Sequence, residues 1–186
     1  MYSLQPSPQK RDEFMPFTPL HMGPGIAVKA VMQGSFSLMV FGWTQIVMDV
    51  QPLIVMLRGE GHLHGFTHTF VGATLIAAVS AITGKYLSEL SLDWFRPPTL
   101  RSPVVSWPVS LLSALIGSYS HVVLDSIMHR DTEPLFPVTR ANILLDLVSV
   151  AVLHTFCFTS GLLGAIVYCL VVWRRKPRLH PETKPR

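Results

Sequence analysis

Histidine and aspartate recur in this chain where runs of apolar residues would exclude them. In order they are His21, Asp49, His62, His64, His68, His121, Asp125, His129 and Asp131. An ionisable group in an apolar setting is costly and needs a partner. Imidazole and carboxylate can partner each other by hydrogen bonding. They can also share a metal, and this donor pair suits Zn, Mn or Fe rather than Ca.

The sharpest spacing lies between Ser120 and His129, where His121, Asp125 and His129 stand four residues apart. On a helix, each four-residue step turns by about 40°, so the three would share one face. A His and a carboxylate one turn apart can chelate a metal, as helical His-x-x-x-His pairs do. They can equally tie two helices together by a hydrogen bond. His64 and His68 repeat the spacing at the start of another apolar run. Gly65 weakens a helix there, which places His64 toward the loop. His62 reads as a solvated loop residue. Asp49 follows an apolar run and precedes Pro52, as a helix-end polar group or as a ligand. His21 sits in Phe17-Thr-Pro-Leu-His21-Met-Gly-Pro-Gly25, where Gly-Pro-Gly permits a sharp entry into a helix.

The elements that must position these residues are membrane helices. Hydrophobic residues make up 49% of the chain and charged residues 14%, against roughly 25% charged in an average soluble domain. A soluble globule lacks the charge to coat its surface. The net charge of +4 is too small and dispersed for nucleic acid. Two cysteines exclude a disulfide framework; on one helix, Cys157 and Cys169 would be about 18 Å apart, too far to pair.

The expected fold is all-α: a polytopic helical membrane bundle with a short N-terminal helical hairpin. Residues 1–18 form a polar, Pro-rich arm without a signal-peptide pattern. Residues 19–174 form the membrane domain, and 175–186 a basic tail. Phe66–Gly84 spans a bilayer by its length. Pro103–Met128 is a second span. Ala141–Trp173 is a third stretch, read as one tilted helix or two packed ones. The first apolar stretch is interrupted by Gln33-Gly34-Ser35. That break predicts a short helix over Gly25–Met32, a bend, and a second helix over Phe36–Leu57. A hairpin brings His21 to the depth of Asp49; a continuous helix would separate them by roughly 40 Å. Lys85–Ser102 and His129–Arg140 are expected as loops.

The basic tail after Trp173, an interfacial anchor, predicts a cytoplasmic C-terminus by the positive-inside rule. Lys85, Arg96 and Arg101 then fall on the same side. Asp49, His64, His68, His121, Asp125, His129 and Asp131 gather at the opposite ends of their spans. More than four candidate ligands leave room for two metals, an arrangement that favours phosphoester hydrolysis. Asp146 and His154 are expected on the last helix, as inter-helix hydrogen bonds or as partners orienting a ligand. Arg130 and Arg140 are loop cations that can meet a phosphate.

These segments together resemble the YdjM-like family of inner-membrane-associated metal-dependent hydrolases. The resemblance rests on Phe17–Gly25, Asp49, His64-Gly-Phe-Thr-His68-Thr, Gly117-Ser-Tyr-Ser-His121-Val-Val-Leu-Asp125 and the His129–Pro137 segment. It covers the chain from Phe17 to Pro137. The chain departs from the family where Leu63-His64 precedes Gly65 and where a single Asp49 stands for a Pro-Asp-x-Asp pattern.

The resemblance implies a bacterial inner-membrane hydrolase using a divalent metal, with zinc first and Mn or Fe next. The ligands are then His68, His121 and Asp125, followed by His21, Asp49, His64 and His129. Asp131 or Glu133 would act as general base. The resemblance names no substrate; metal-activated water would act on an ester or phosphoester, and the site's expected depth fits a lipid-linked one entering from the membrane interface, with no nucleic acid involved. Two other readings stay open at this stage. One is a non-catalytic scaffold or accessory subunit whose His/Asp pairs hold helices together. The other is an ion or proton pathway, which would spread its titratable groups across the full membrane depth.

Overall fold

The computed structural model describes residues 19–59, 61–95, 97 and 104–175. The arm and nearly all of the basic tail lie outside these residues, as do Arg96 and Arg101. All the long elements are helical: α1 (Met22–Met32), α2 (Leu38–Arg58), α3 (Phe70–Trp94), α4 (Trp107–Met128) and α5 (Val150–Arg175). No strand occurs among the described residues. The last four helices are each long and apolar enough to cross a membrane.

Local sequence explains most of the boundaries. Ser37 is extended, and its hydroxyl accepts from the Val40 N–H to start α2, as an N-cap does. Gly59, at φ +71°, ends the helix in the left-handed conformation that glycine adopts without strain. Thr69 caps α3 by accepting from the Gly72 N–H. Pro108 lies in the first turn of α4, where its missing N–H costs nothing.

Helices α2, α3 and α4 pack as a trio. Small residues line their contacts: Ala77, Ala81 and Ala114 pack on Val40, and Ala73 packs with Met48 and Val122. The short α1 lies mainly against α5. A Cβ on Gly23 would come within 1.9 Å of the Cys157 carbonyl oxygen, so glycine is required for this close helix crossing. Large apolar side chains such as Leu75, Val79, Phe158 and Leu163 point outward. The bundle is therefore apolar outside, as a bilayer setting demands, while Phe36, Phe41 and Met48 are buried inside with small and polar residues.

The hairpin forms as expected. Gln33, at φ +49°, turns the chain at the predicted break, and His21 returns to the depth of the His/Asp residues. Several expected boundaries differ, α3 starting at Phe70 and α4 at Trp107, and two shifts are large. α3 runs ten residues past Gly84, so Lys85 is helical rather than in a loop. Lys85 is buried because Glu89, one turn on, and the Val105 carbonyl satisfy its ammonium. Residues 141–149 are turns, not helix. Asp146 takes φ +56° there, and the Asn142 side chain accepts from the Leu144 N–H, so α5 is a single helix that starts only at Val150.

Candidate metal centre

Asp49, His68, His121 and Asp125 converge in the interior of the bundle. One ligand atom from each lies within 4.8 Å of the others. His121 and Asp125 come from consecutive turns near the end of α4, and Asp49 from the middle of α2. His68 closes a 3-10 turn (Phe66–His68) just ahead of the Thr69 cap, so it is not on α3 itself. His121 Nε2 stands 3.2 Å from Asp49 Oδ1 and 3.1 Å from Asp125 Oδ2. His68 Nε2 stands 3.2 Å from the same Asp125 oxygen. Ligand atoms around a tetrahedral zinc sit about 3.3 Å apart, since each lies 2.0–2.1 Å from the ion.

The surrounding hydrogen bonds fix that Nδ1 of each ring carries a hydrogen. Gln45 Nε2 donates to the Gly117 carbonyl at 3.0 Å, so the Gln45 oxygen faces His121. That oxygen can only accept, so His121 Nδ1, 2.7 Å away, carries the hydrogen. Gln51 Oε1 accepts from both the Thr67 N–H and the Thr67 hydroxyl. The single Thr67 hydroxyl hydrogen is thereby used, and His68 Nδ1 must donate to Thr67 Oγ1 at 3.0 Å. Gly65 allows this arrangement, because a Cβ there would come within 2.0 Å of Gln51 Nε2.

Both imidazoles thus turn Nε2 toward carboxylate oxygens. Neither nitrogen has an aligned hydrogen bond. Two imidazole nitrogens and two carboxylates facing one another in a buried site call for positive charge, which a proton or a metal ion can supply. A proton can bridge one pair, whereas a divalent metal can engage all four groups. The donor set and spacing fit such an ion. Burial also lowers the His68 pKa, against the pull of Asp125, which keeps the ring in the neutral form that binds metal.

The other expected residues fall around this group. His21 is buried beside it, with Nε2 3.7 Å from Asp125 Oδ1. Burial, opposed by Asp125, lowers its pKa to about 4. His129 leaves the face of His121 and Asp125. It is the C-cap of α4, with extended backbone, and its ring stacks on His64 at 4.2 Å. His64, His129 and Asp131 form a second, half-buried group. The Asp131 carboxylate accepts from the His64 backbone N–H at 3.2 Å and from Nδ1 at 2.8 Å. Burial raises the Asp131 pKa, but these bonds outweigh it and hold the carboxyl well below its usual range. The His64 ring lies edge-on to His68 at 4.9 Å, so the second group leads from the buried centre toward the surface.

Glu133 joins neither group; its Oε1 stands 3.6 Å from Arg140 Nη1. His62 is exposed. Asp146 is an exposed turn residue 3.5 Å from Arg130 Nη2, rather than a helical partner of the site. His154 is half-buried on α5. Sequence reasoning missed Gln45, Gln51 and Thr67, the groups that orient the rings. Their signal was present: two amides flank Asp49 in an otherwise apolar helix. Asn142 was also missed; its amide donates to the Ser126 carbonyl and to Thr132 Oγ1, both at 2.8 Å, bracing the loop that carries His129 and Asp131.

No curated protein and no solved structure gives a significant match to this chain. A family model does match, over residues 15–186, described as a domain of unknown function, DUF4184. The match includes every residue of both His/Asp groups, and the chain belongs to the DUF4184 family.

Proposed function

We propose that this protein is an integral membrane metalloenzyme that hydrolyses an ester or phosphoester. One observation carries the reading: two imidazoles whose Nδ1 atoms are held by hydrogen bonds turn Nε2, with two carboxylates, to a common buried point. Polar residues that only join helices would pair donor with acceptor. Held by these residues with a position left for water, a divalent ion would supply an activated water at neutral pH and polarise the scissile ester. His/carboxylate donors favour zinc, with Mn or Fe as the alternatives. The resemblance to the YdjM-like hydrolases points the same way.

Asp49, His68, His121 and Asp125 are the ligands in this proposal. Asp131 acts through His64, holding that ring beside His68 to exchange a proton with the attacking water. Glu133 is turned to Arg140 and takes no part. The centre lies close to the ends of α3 and α4, a depth that suits a lipid-linked substrate entering from the bilayer interface. Arg174 and Arg175 end α5 at the opposite face, which supports a cytoplasmic C-terminus in a bacterial inner membrane.

The test is metal analysis of the detergent-purified protein. Wild type should carry at least one equivalent of metal, lost in His68→Ala and in His121→Ala. A sub-stoichiometric content that neither change alters would overturn the metal reading. Failure of the metal-loaded protein to cleave nitrophenyl esters, nitrophenyl phosphate and lipid phosphates would overturn the hydrolase reading alone. Cysteines introduced one at a time at Val138 and Phe95, in a Cys169→Ser background that keeps only the buried Cys157, should be labelled from opposite sides of the membrane; labelling from one side would reject the topology.

A further inference from the structure

Asp125 uses its two oxygens differently. Oδ2 faces His68 and His121 at 3.2 and 3.1 Å. Oδ1 faces His21 Nε2 at 3.7 Å. His21 is 4% exposed, and neither of its ring nitrogens has a hydrogen-bond partner. A buried imidazole with both nitrogens unpaired is costly. Its ring meets His121 edge-on at 5.1 Å, tilted by 82°, so it approaches the shared carboxylate from a different direction.

We propose that the centre holds two divalent cations bridged by Asp125, with His21 supplying the protein nitrogen of the second position. The proposal rests on the metal reading above and extends it from one ion to two. A 3.7 Å separation between His21 Nε2 and Asp125 Oδ1 is compatible with one ion bonded to both, at the 2.0–2.2 Å typical of His and carboxylate ligands. With two protein donors, the second position leaves coordination sites for solvent or for a substrate oxygen. It is therefore the weaker and more exchangeable of the two.

The stacked pair at the mouth is a poorer second position. Imidazole lone pairs lie in the ring plane. The His64 and His129 rings are 4.2 Å apart and tilted by 21°, so their planes meet only roughly 10 Å away, far beyond a metal–nitrogen bond of about 2 Å. One ring would have to turn before both could bind the same ion. The rings around Asp125 cross steeply and need no such change.

The experiment is a titration of chelator-stripped protein with Mn²⁺ alone, read by bound metal per chain and by electron paramagnetic resonance. Wild type should bind two equivalents, the second at least tenfold weaker, and show the spectrum of an exchange-coupled pair at saturation. His21→Ala should bind one equivalent with an uncoupled six-line spectrum. Wild type saturating at one equivalent would overturn the proposal without needing any variant. Two coupled equivalents persisting in His21→Ala would also overturn it. Wild type binding neither Mn²⁺ nor Zn²⁺ would instead reject the metal reading itself, an outcome distinct from saturation at one.

Discussion

The bundle buries polar residues at both ends, and the two ends are built differently. At the end away from the His/Asp centre, Lys85 is 8% exposed and donates to Glu89 and, at 2.7 Å, to the Val105 carbonyl. Glu89 accepts in turn from the Val105 N–H at 2.8 Å. The Lys85 ammonium also lies 5.5 Å from the Trp107 ring centre. There, donors meet acceptors and the cluster is complete. At the other end, His68 Nε2, His121 Nε2 and the Asp49 and Asp125 carboxylates face a common centre. Architecture accounts for the first cluster. The second gathers the donor types that can hold a metal ion.

Substitutions can break or sharpen this contrast. The largest effect is expected from Asp125→Asn, which removes a charge facing three imidazoles. Metal affinity should fall by well over 100-fold, more than the roughly 10–100-fold typical of residues behind the ligands. Isothermal titration with Zn²⁺ would measure it; an affinity within threefold of wild type would erase the distinction between the two ends.

Gln45→Leu and Thr67→Val come next. Each leaves every ligand in place but frees a ring tautomer. Zinc affinity should weaken by about 10–100-fold, with melting behaviour of the metal-free protein changed far less. Unchanged affinity would mean that the orienting bonds do not matter.

Lys85→Met tests the completed cluster. It leaves Glu89 without its ammonium partner, so the melting temperature should drop by roughly 5 °C with metal content unaltered. Lys85→Met combined with Glu89→Leu should recover most of that loss, because an apolar pair has no charge to satisfy. A fall in bound metal would show that the two ends are coupled.

The smallest effect belongs to Asp131→Asn. The Asp131 pKa is lower in the folded protein than in the unfolded chain, so its contribution is complete above the unfolded value near 4. It is lost as pH falls through the lower folded value. The wild type should melt about 2 °C above the variant at pH 7, a gap that narrows as the pH is taken below 4. A gap that widens in acid would contradict the His64–Asp131 bond.

Much of this organisation was legible in the residues. Composition alone required membrane helices. Gln33-Gly34-Ser35 marked the hairpin, and the four-residue step from His121 to Asp125 survives because α4 continues through both. The same spacing failed where the helix did not continue. His129 falls on the C-cap, and an extended backbone swings it to His64. His68 precedes the Thr69 cap instead of lying inside α3. Asp146 sits in a turn. Periodicity assigns a face only while backbone dihedrals remain helical, and helix ends are decided by caps and by the loops packed on them.

The sequence by itself determined the solvent, the presence of long apolar segments and the residue types available for a site, because each follows from local composition and length; whether Ala141–Trp173 held one helix or two was decided by the fold. Only the tertiary structure decided which acceptor atoms face one another. Asp49 and His68 are 19 positions apart, and His68 and Asp125 are 57 apart. Their nitrogens and oxygens meet because small residues let α2, α3 and α4 pack closely. The orientation of each imidazole was likewise set by the fold, through Gln45, Gln51 and Thr67, whose hydrogen bonds hold Nδ1 and leave Nε2 facing the carboxylates.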